Sequence, residues 1–362
     1  MTELLRTIGV EHPIFLAPLG GGPSTPELAA AVANAGGLGA IAAAYLSPRQ
    51  ISESIRRTRE LTDRPLNVNL FAGGYHESVG KDPAPMLEAM AHVHAELGLK
   101  APVLPPIPGD PFDEQFEAVL AAKPRVFSFT FGIPDAKTIE RAKSAGILVF
   151  GTATTVAEGR LLEAAGVDAV IAQAGEAGGQ RGTFDGSFED GLVPLNELLA
   201  GLIKTLEIPV IASGGLMNGR DIAGALNAGA SAVQLGTAFL CCPESGASAT
   251  YKRALLAAGE DRTKITYAFT GRGARGLDNR FMRIMEGRRN EILPFPAQNM
   301  LTRELRNAAT ERGNPEYLSL WAGTGVGKVR AMPASELMKD LLTELNDALV
   351  GPVGLEPTTN GL

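Results

Sequence analysis

Eight short apolar runs, each followed by a helix-length segment, constrain this chain more than any other feature. The runs fall at residues 14–17, 38–42, 66–71, 125–131, 148–151, 169–172, 210–213 and 232–236. Between most of them, Ala-, Leu- and Glu-rich stretches predict helices over 26–35, 47–61, 135–145, 155–165, 194–206 and 219–228. Four helix ends repeat one phrase: Ala35-Gly36-Gly37-Leu38, Ala145-Gly146-Ile147, Ala165-Gly166-Val167 and Ala228-Gly229-Ala230. A Gly placed there takes the left-handed conformation that stops a helix and turns the chain into the next strand. Strand and helix alternating in this way predict an α/β fold, a parallel sheet closed as a (β/α)8 TIM barrel. An open doubly wound sheet is the weaker alternative. That architecture concentrates one phosphate loop after its first strand, whereas here Gly-rich loops follow several strands.

Two stretches break the alternation. Residues 73–123 are too long for one crossover and predict an insertion after the third strand, with a helix over 85–99 and a Pro-rich turn over 103–111. After the eighth strand, residues 244–340 predict a helical extension packed partly on the barrel mouth. The expected division is therefore a ligand-binding barrel over 1–243, a helical substrate or lid extension over 244–340, and a helix end with a tail over 341–362. The last twelve residues contain two Pro and little to bury, and predict disorder.

Bulk properties exclude several classes of function. A net charge of −7 would not draw the chain to nucleic acid or to an anionic membrane surface. No apolar run is long enough to span a bilayer, and the N-terminus lacks the basic and apolar regions of a secretion signal. The two Cys, Cys241 and Cys242, are adjacent at what reads as a buried helix start, with no third Cys to pair with. A reducing cytoplasm is the expected location. The four His (His12, His76, His92 and His94) show no metal-ligand spacing, so no metal is expected, and His92 and His94 are expected at the surface.

In such a barrel the ligand site lies at the C-terminal ends of the strands. The first strand ends in Ala17-Pro18-Leu19-Gly20-Gly21-Gly22, which lets a flat ligand approach the backbone. The third carries Asn67 and Asn69 on one face, Asn69 nearer the strand end. The sixth runs into AQAGEAGGQRGTF, residues 172–184, which gathers Gln173, Gly178, Gly179 and Gln180. The seventh and eighth end in Ser213-Gly214-Gly215 and Gln234-Leu235-Gly236-Thr237, matching the phosphate site that barrels build from these two loops. One literal GxGxxG occurs at Gly271, Gly273 and Gly276. The Pro294-Phe295-Pro296 that follows is poor material for a parallel strand, so a dinucleotide site is not expected there. The Gly-rich residues 321–327 read as a loop closing over the mouth.

Together these residues resemble the bacterial branch of the nitronate monooxygenase family, formerly called 2-nitropropane dioxygenases. The resemblance runs from about residue 13 to 329, and Glu176-Ala177-Gly178-Gly179 is its most specific part. It extends to residues 267–272 and 299–306. The family resemblance implies an oxidoreductase that binds FMN and uses O2 to convert alkyl nitronates to a carbonyl compound and nitrite. It implies FMN contacts from Asn69, Gln173, Gly178, Gly215 and the Gln234–Thr237 turn, which are loops already singled out. Pro18, Leu19 and Gly179 would then border the ring, and Gly214, Gly215, Gly236 and Thr237 the phosphate. Small-molecule substrate and O2 are the expected partners, and a homodimer is compatible with the resemblance.

One position departs from it. Gln180 stands where the family has a His that serves as base toward neutral nitroalkanes or positions the nitronate. Gln can hydrogen-bond an oxygen, but it cannot accept a proton near neutral pH. Gln180 is thus the expected catalytic residue in an orienting role, with preformed nitronates as the better substrates. His76 in the insertion is the one His weighed as a substitute at the mouth. Two alternatives stay open: an NAD(P)H-dependent flavin reductase of the same fold (enoyl-acyl-carrier-protein or quinone reductase), and a flavin-binding protein without this turnover.

Overall fold

A computed structural model of the chain describes residues 2–75, 80–260 and 262–350. His76 and the tail after residue 350 lie outside the described residues. All eight apolar runs become strands: β1 (Ile14–Leu16), β2 (Gly39–Ala42), β3 (Leu66–Phe71), β4 (Val126–Thr130), β5 (Leu148–Ala153), β6 (Ala169–Gln173), then β8 (Val210–Ser213) and β9 (Ala232–Leu235), with a two-residue β7 (Gly179–Gln180) outside the barrel. The eight pair in the order β1-β9-β8-β6-β5-β4-β3-β2, all parallel. A parallel bridge between Phe15 and Leu38 brings β1 back to the chain entering β2, so the sheet closes.

Local chemistry explains why each crossover helix starts and stops where it does. Thr25 caps Pro26–Asn34 by accepting from Leu28 N–H. Ser47 with Gln50, and Thr155 with Glu158, form reciprocal capping boxes on Pro48–Leu61 and Val156–Ala164. The four repeated glycines all turn left-handed, with φ of 84° at Gly36, 79° at Gly146, 85° at Gly166 and 105° at Gly229. Below the strands, the first helix (Glu3–Ile8) plugs the barrel. Its Leu4, Leu5 and Ile8 share a core with Phe15, Phe150, Ile171 and Ile211. The main core lies between the strands and the crossover helices.

The interruptions differ from the sequence expectation. The insertion contains the expected helix, at Ala84–Glu96, and a second one at Phe112–Ala122 where only a Pro-rich turn and unassigned chain were read. Phe116 and Val119 bury that second helix against the barrel core. The segment after β9 is not purely helical: β10 (Thr263–Thr266) and β11 (Ala274–Leu277) form an antiparallel pair, and β7 joins it as a third strand. Helix Ala84–Glu96 and this segment share a second core that includes Met86, Met90, Phe269, Phe281 and Leu305. The last helix, Ala334–Val350, runs across the expected boundary at 340/341 and packs on the barrel helices Gly219–Asn227 and Pro26–Asn34. Cys241 and Cys242 are buried, but they sit in a turn after the short 3-10 segment Thr237–Phe239 rather than at a helix start. Burial pushes their thiols up, to about 11 and about 12 respectively. His92 is exposed as expected, whereas His94 is buried, with Nδ1 2.7 Å from the Lys100 carbonyl. Among the described residues no helix is long and apolar enough to cross a membrane.

Candidate active site

Parallel strands deliver all their C-terminal ends to one face, and there the chain encloses a cavity of about 420 Å³. Pro18, Leu19, Asn69, Gln173, Gly178, Gly179, Gln180, Gly214, Gly215, Gln234, Leu235, Gly236 and Thr237 all line it. Thirteen residues from five strand ends and the chain that follows them thus meet in one place. The first loop is held by the Ser24 hydroxyl, which accepts from Leu19 N–H at 3.0 Å. Asn69 is buried and donates to the Ser128 hydroxyl at 3.0 Å. Gly214 and Gly215 have φ of 133° and 72°, a turn closed to residues with side chains. The Thr237 hydroxyl accepts from Gly323 N–H at 2.9 Å, and Thr324 N–H donates to the Glu176 carbonyl at 3.0 Å. The Gly-rich residues 321–327 therefore do lie against the mouth.

The 172–184 segment is held rigidly, by three side chains. The Gln173 amide donates to the Gln180 carbonyl at 3.0 Å and accepts from Gly182 N–H at 2.7 Å. The buried Arg181 guanidinium donates to the carbonyls of Gln173 and Ala174, both at 2.6 Å, and of Gly191 at 3.0 Å. Desolvation brings its pKa down to about 10, so it stays charged at neutral pH. Glu158, fully buried, accepts from the backbone N–H groups of Thr154, Phe184 and Asp185. Pairing of Gln180 with Ala274 of β11 completes the brace, so Gln180 projects from a strand and not from a free loop. Its Oε1 lies 3.4 Å from the Tyr45 hydroxyl, and its Nε2 is buried with no hydrogen-bond partner among the described residues.

The GRGARG sequence has a packing role. Gly271 turns with φ 79°, and a Cβ on Gly273 would strike the Phe188 ring at 1.9 Å. A Cβ on Gly276 would meet the Leu320 carbonyl oxygen at 2.7 Å. These glycines let β11 lie flat under its neighbours in an antiparallel sheet, which is no setting for a dinucleotide motif.

Several cavity residues stand outside the loops singled out for the ligand: Tyr45, Phe131, Tyr251, Arg306 and Thr310. Two of them had a readable signal, since Phe131 follows directly on β4 and Tyr45 stands three residues past the end of β2. Phe131 holds φ 74°, rare for a residue with a side chain, and the Arg272 guanidinium lies over its ring at 3.8 Å. Tyr251 and Arg306 come from the extension, and their arrival at the mouth depends on how it folds back. The Tyr251 hydroxyl donates to the Trp321 carbonyl at 2.5 Å, and burial raises its pKa.

Comparison with known proteins places this geometry. The family model described as nitronate monooxygenase matches residues 2–344. A nitronate monooxygenase of Pseudomonas aeruginosa is 42% identical over 349 residues, covering 94% of this chain and 98% of the relative. A probable nitronate monooxygenase of Bacillus subtilis is 36% identical, covering 95% and 98%. Among solved structures, a nitroalkane oxidase from Streptomyces ansochromogenes superposes with a TM-score of 0.89 at 40% identity, covering 96% of this chain and 99% of that one.

Proposed function

This chain belongs to the nitronate monooxygenase family, and from that membership we propose that it binds FMN at the barrel mouth and oxidises alkyl nitronates with O2 to carbonyl compound and nitrite. The supporting observation is the convergence of the strand-end loops on a single cavity with an unpartnered Gln180 amide inside it. The residues present suit FMN. The volume falls within the roughly 300–1,000 Å³ usual for cofactor sites. The positive-φ glycines at 214 and 215 and the turn at Gly236-Thr237 offer backbone to a phosphate. Gly179, at φ 79°, has no protein atom within 4 Å of where a Cβ would stand, which leaves open space beside the ring position.

FMN bound there supplies the oxidation of the substrate and the reaction with O2. Everything else falls to this chain's side chains. Pro18 and Leu19 form an apolar wall, and Asn69 offers its amide from the third strand. Gln180 holds a substrate oxygen through Nε2, but takes no proton from a neutral nitroalkane. Preformed nitronates are accordingly the substrates, and neutral nitroalkanes turn over poorly.

Anaerobic mixing of the FMN-loaded protein with an alkyl nitronate, and separately with NADH, tests the assignment. Rapid bleaching by the nitronate and none by NADH is expected, followed by nitrite release on admitting O2. Rapid bleaching by NADH would point to a flavin reductase. Bound FMN that neither reagent reduces would leave a flavin-binding protein.

A further inference from the structure

Tyr45 stands at the corner of the cavity where Gln180 projects. Its ring meets Phe71 edge-on, with centroids 5.3 Å apart, and its hydroxyl reaches Gln180 Oε1 at the long distance of 3.4 Å. The residue is 38% exposed, and it lines the cavity. Its backbone is fixed from outside the barrel. The buried Gln115 amide, on helix Phe112–Ala122, donates to the carbonyls on either side of Tyr45, at 3.1 Å to Ala44 and 2.8 Å to Leu46.

Arg306 approaches the same corner from helix Arg303–Glu311. Its guanidinium donates to the Asn299 carbonyl at 2.7 Å, to Asn299 Oδ1 at 2.9 Å and to the Thr302 carbonyl at 3.3 Å. All three acceptors are neutral, and among the described residues no carboxylate forms an ion pair with it. A half-buried cation without a counter-ion gains when an anion arrives. An orphan amide donor, a loosely engaged hydroxyl and an uncompensated cation therefore face one space, with no acidic side chain among the cavity-lining residues.

We propose that the Tyr45 hydroxyl and the Gln180 amide form a two-donor clamp for the paired oxygen atoms of the substrate anion, with Arg306 supplying the attracting charge. Tyr45 gives up its long contact with Gln180 when an anionic oxygen offers a stronger acceptor. Gln115 acts as a positioning residue through the backbone of Tyr45. The identity of the anion as a nitronate rests on the proposed function; the clamp itself recognises any small planar anion bearing two oxygen atoms on one centre.

Nitrite, which has that shape and is not oxidised by the assay, serves as the probe. Its dissociation constant is measured by calorimetry on the purified protein, and the steady-state constants for an alkyl nitronate are measured beside it. Tyr45→Phe keeps the contact with Phe71 and removes only the donor. It should weaken nitrite binding and raise the nitronate KM by about tenfold or more, as expected for losing a hydrogen bond to a charged group. Flavin content should stay near wild type. Arg306→Lys should hold nitrite more tightly than Arg306→Met. Nitrite affinity unchanged in Tyr45→Phe would overturn the clamp, and equal affinities in the two Arg306 variants would overturn the role of its charge. A wild-type protein that turns over no nitronate would defeat the proposed function alone, because the nitrite measurements decide the clamp independently.

Discussion

Gln180 joins a donor and an acceptor in one amide, with no proton to exchange, and its strand setting points that amide at the cavity. Replacing it tests the proposed orienting role directly. Gln180→His places an imidazole of ordinary pKa about 6.5 beside Tyr45. Oxidation of neutral nitroalkanes should rise by about a hundredfold, the lower range for an added general base, with nitronate oxidation changing far less. Oxygen uptake on both forms of one nitroalkane gives the comparison. In the wild type, pH should act only at the alkaline end. Burial lowers the Arg306 pKa to about 10, against the opposing pull of Tyr45, with Arg303 adding to the lowering. Desolvation of its hydroxyl inside the cavity raises the Tyr45 phenol above its ordinary 10.0, although the residue as a whole is partly exposed, and Arg306, Arg272 and Arg303 counter the rise. The neighbouring Tyr75 is pushed up to about 12. Arg306 is charged below its pKa and Tyr45 is a donor below its own. Anion affinity is thus flat through neutral pH and falls as pH passes about 10. A break near about pH 6.5 in the wild-type nitrite affinity would show an imidazole at work instead.

The short strand β7 turns the site from a loop into a braced element. Its pairing with β11 fixes Gly179 and Gln180 from above, while Arg181 and Gln173 fix the same backbone from within the segment. Close approach of backbones is what allows this. A Cβ on Gly178 would lie 2.5 Å from the Ala322 carbonyl carbon and 2.6 Å from Gly323 N, where no rotamer change relieves the clash. Gly178→Ala should destabilise the protein by about 1–3 kcal/mol, as overpacking does, and lower its flavin content. Thermal unfolding and the flavin absorbance of the purified variant measure both. Had the 172–184 segment been a mobile loop, the substitution would leave the melting temperature unchanged.

Two larger cores flank the mouth, apart from the one under the first helix. One lies between the barrel strands and their helices, and the other joins the insertion helix Ala84–Glu96 to the segment after β9, although the whole chain from Glu96 to Leu235 separates them. The mouth lies between, and this is why side chains from both layers reach the cavity. Met90 is fully buried in the second core. Met90→Ala should cost about 2–5 kcal/mol of stability in that layer. Amide exchange should accelerate in helices Arg280–Glu286 and Arg303–Glu311 while the barrel strands keep their protection. Uniform acceleration would mean that the two cores unfold together.

The barrel was legible because its signals are local. An apolar run, a cap residue and a Gly one place past a helix all act within a few positions along the chain, and their repetition leaves few closed arrangements. That Asn69, Gln180, Gly215 and Thr237 line one cavity was legible for the same reason: a parallel strand carries its end and whatever follows to the C-terminal face. Helix Phe112–Ala122 escaped notice behind the Pro-rich turn that precedes it, and its burial depends on barrel residues that sequence spacing does not reveal. The antiparallel pairing of Gln180 with Ala274, and the convergence of Tyr45, Gln180 and Arg306 on one cavity, join positions far apart in the chain. No periodicity encodes such contacts. They follow from how the second layer folds back over the barrel mouth, where apolar burial brings the polar groups of the mouth along with it.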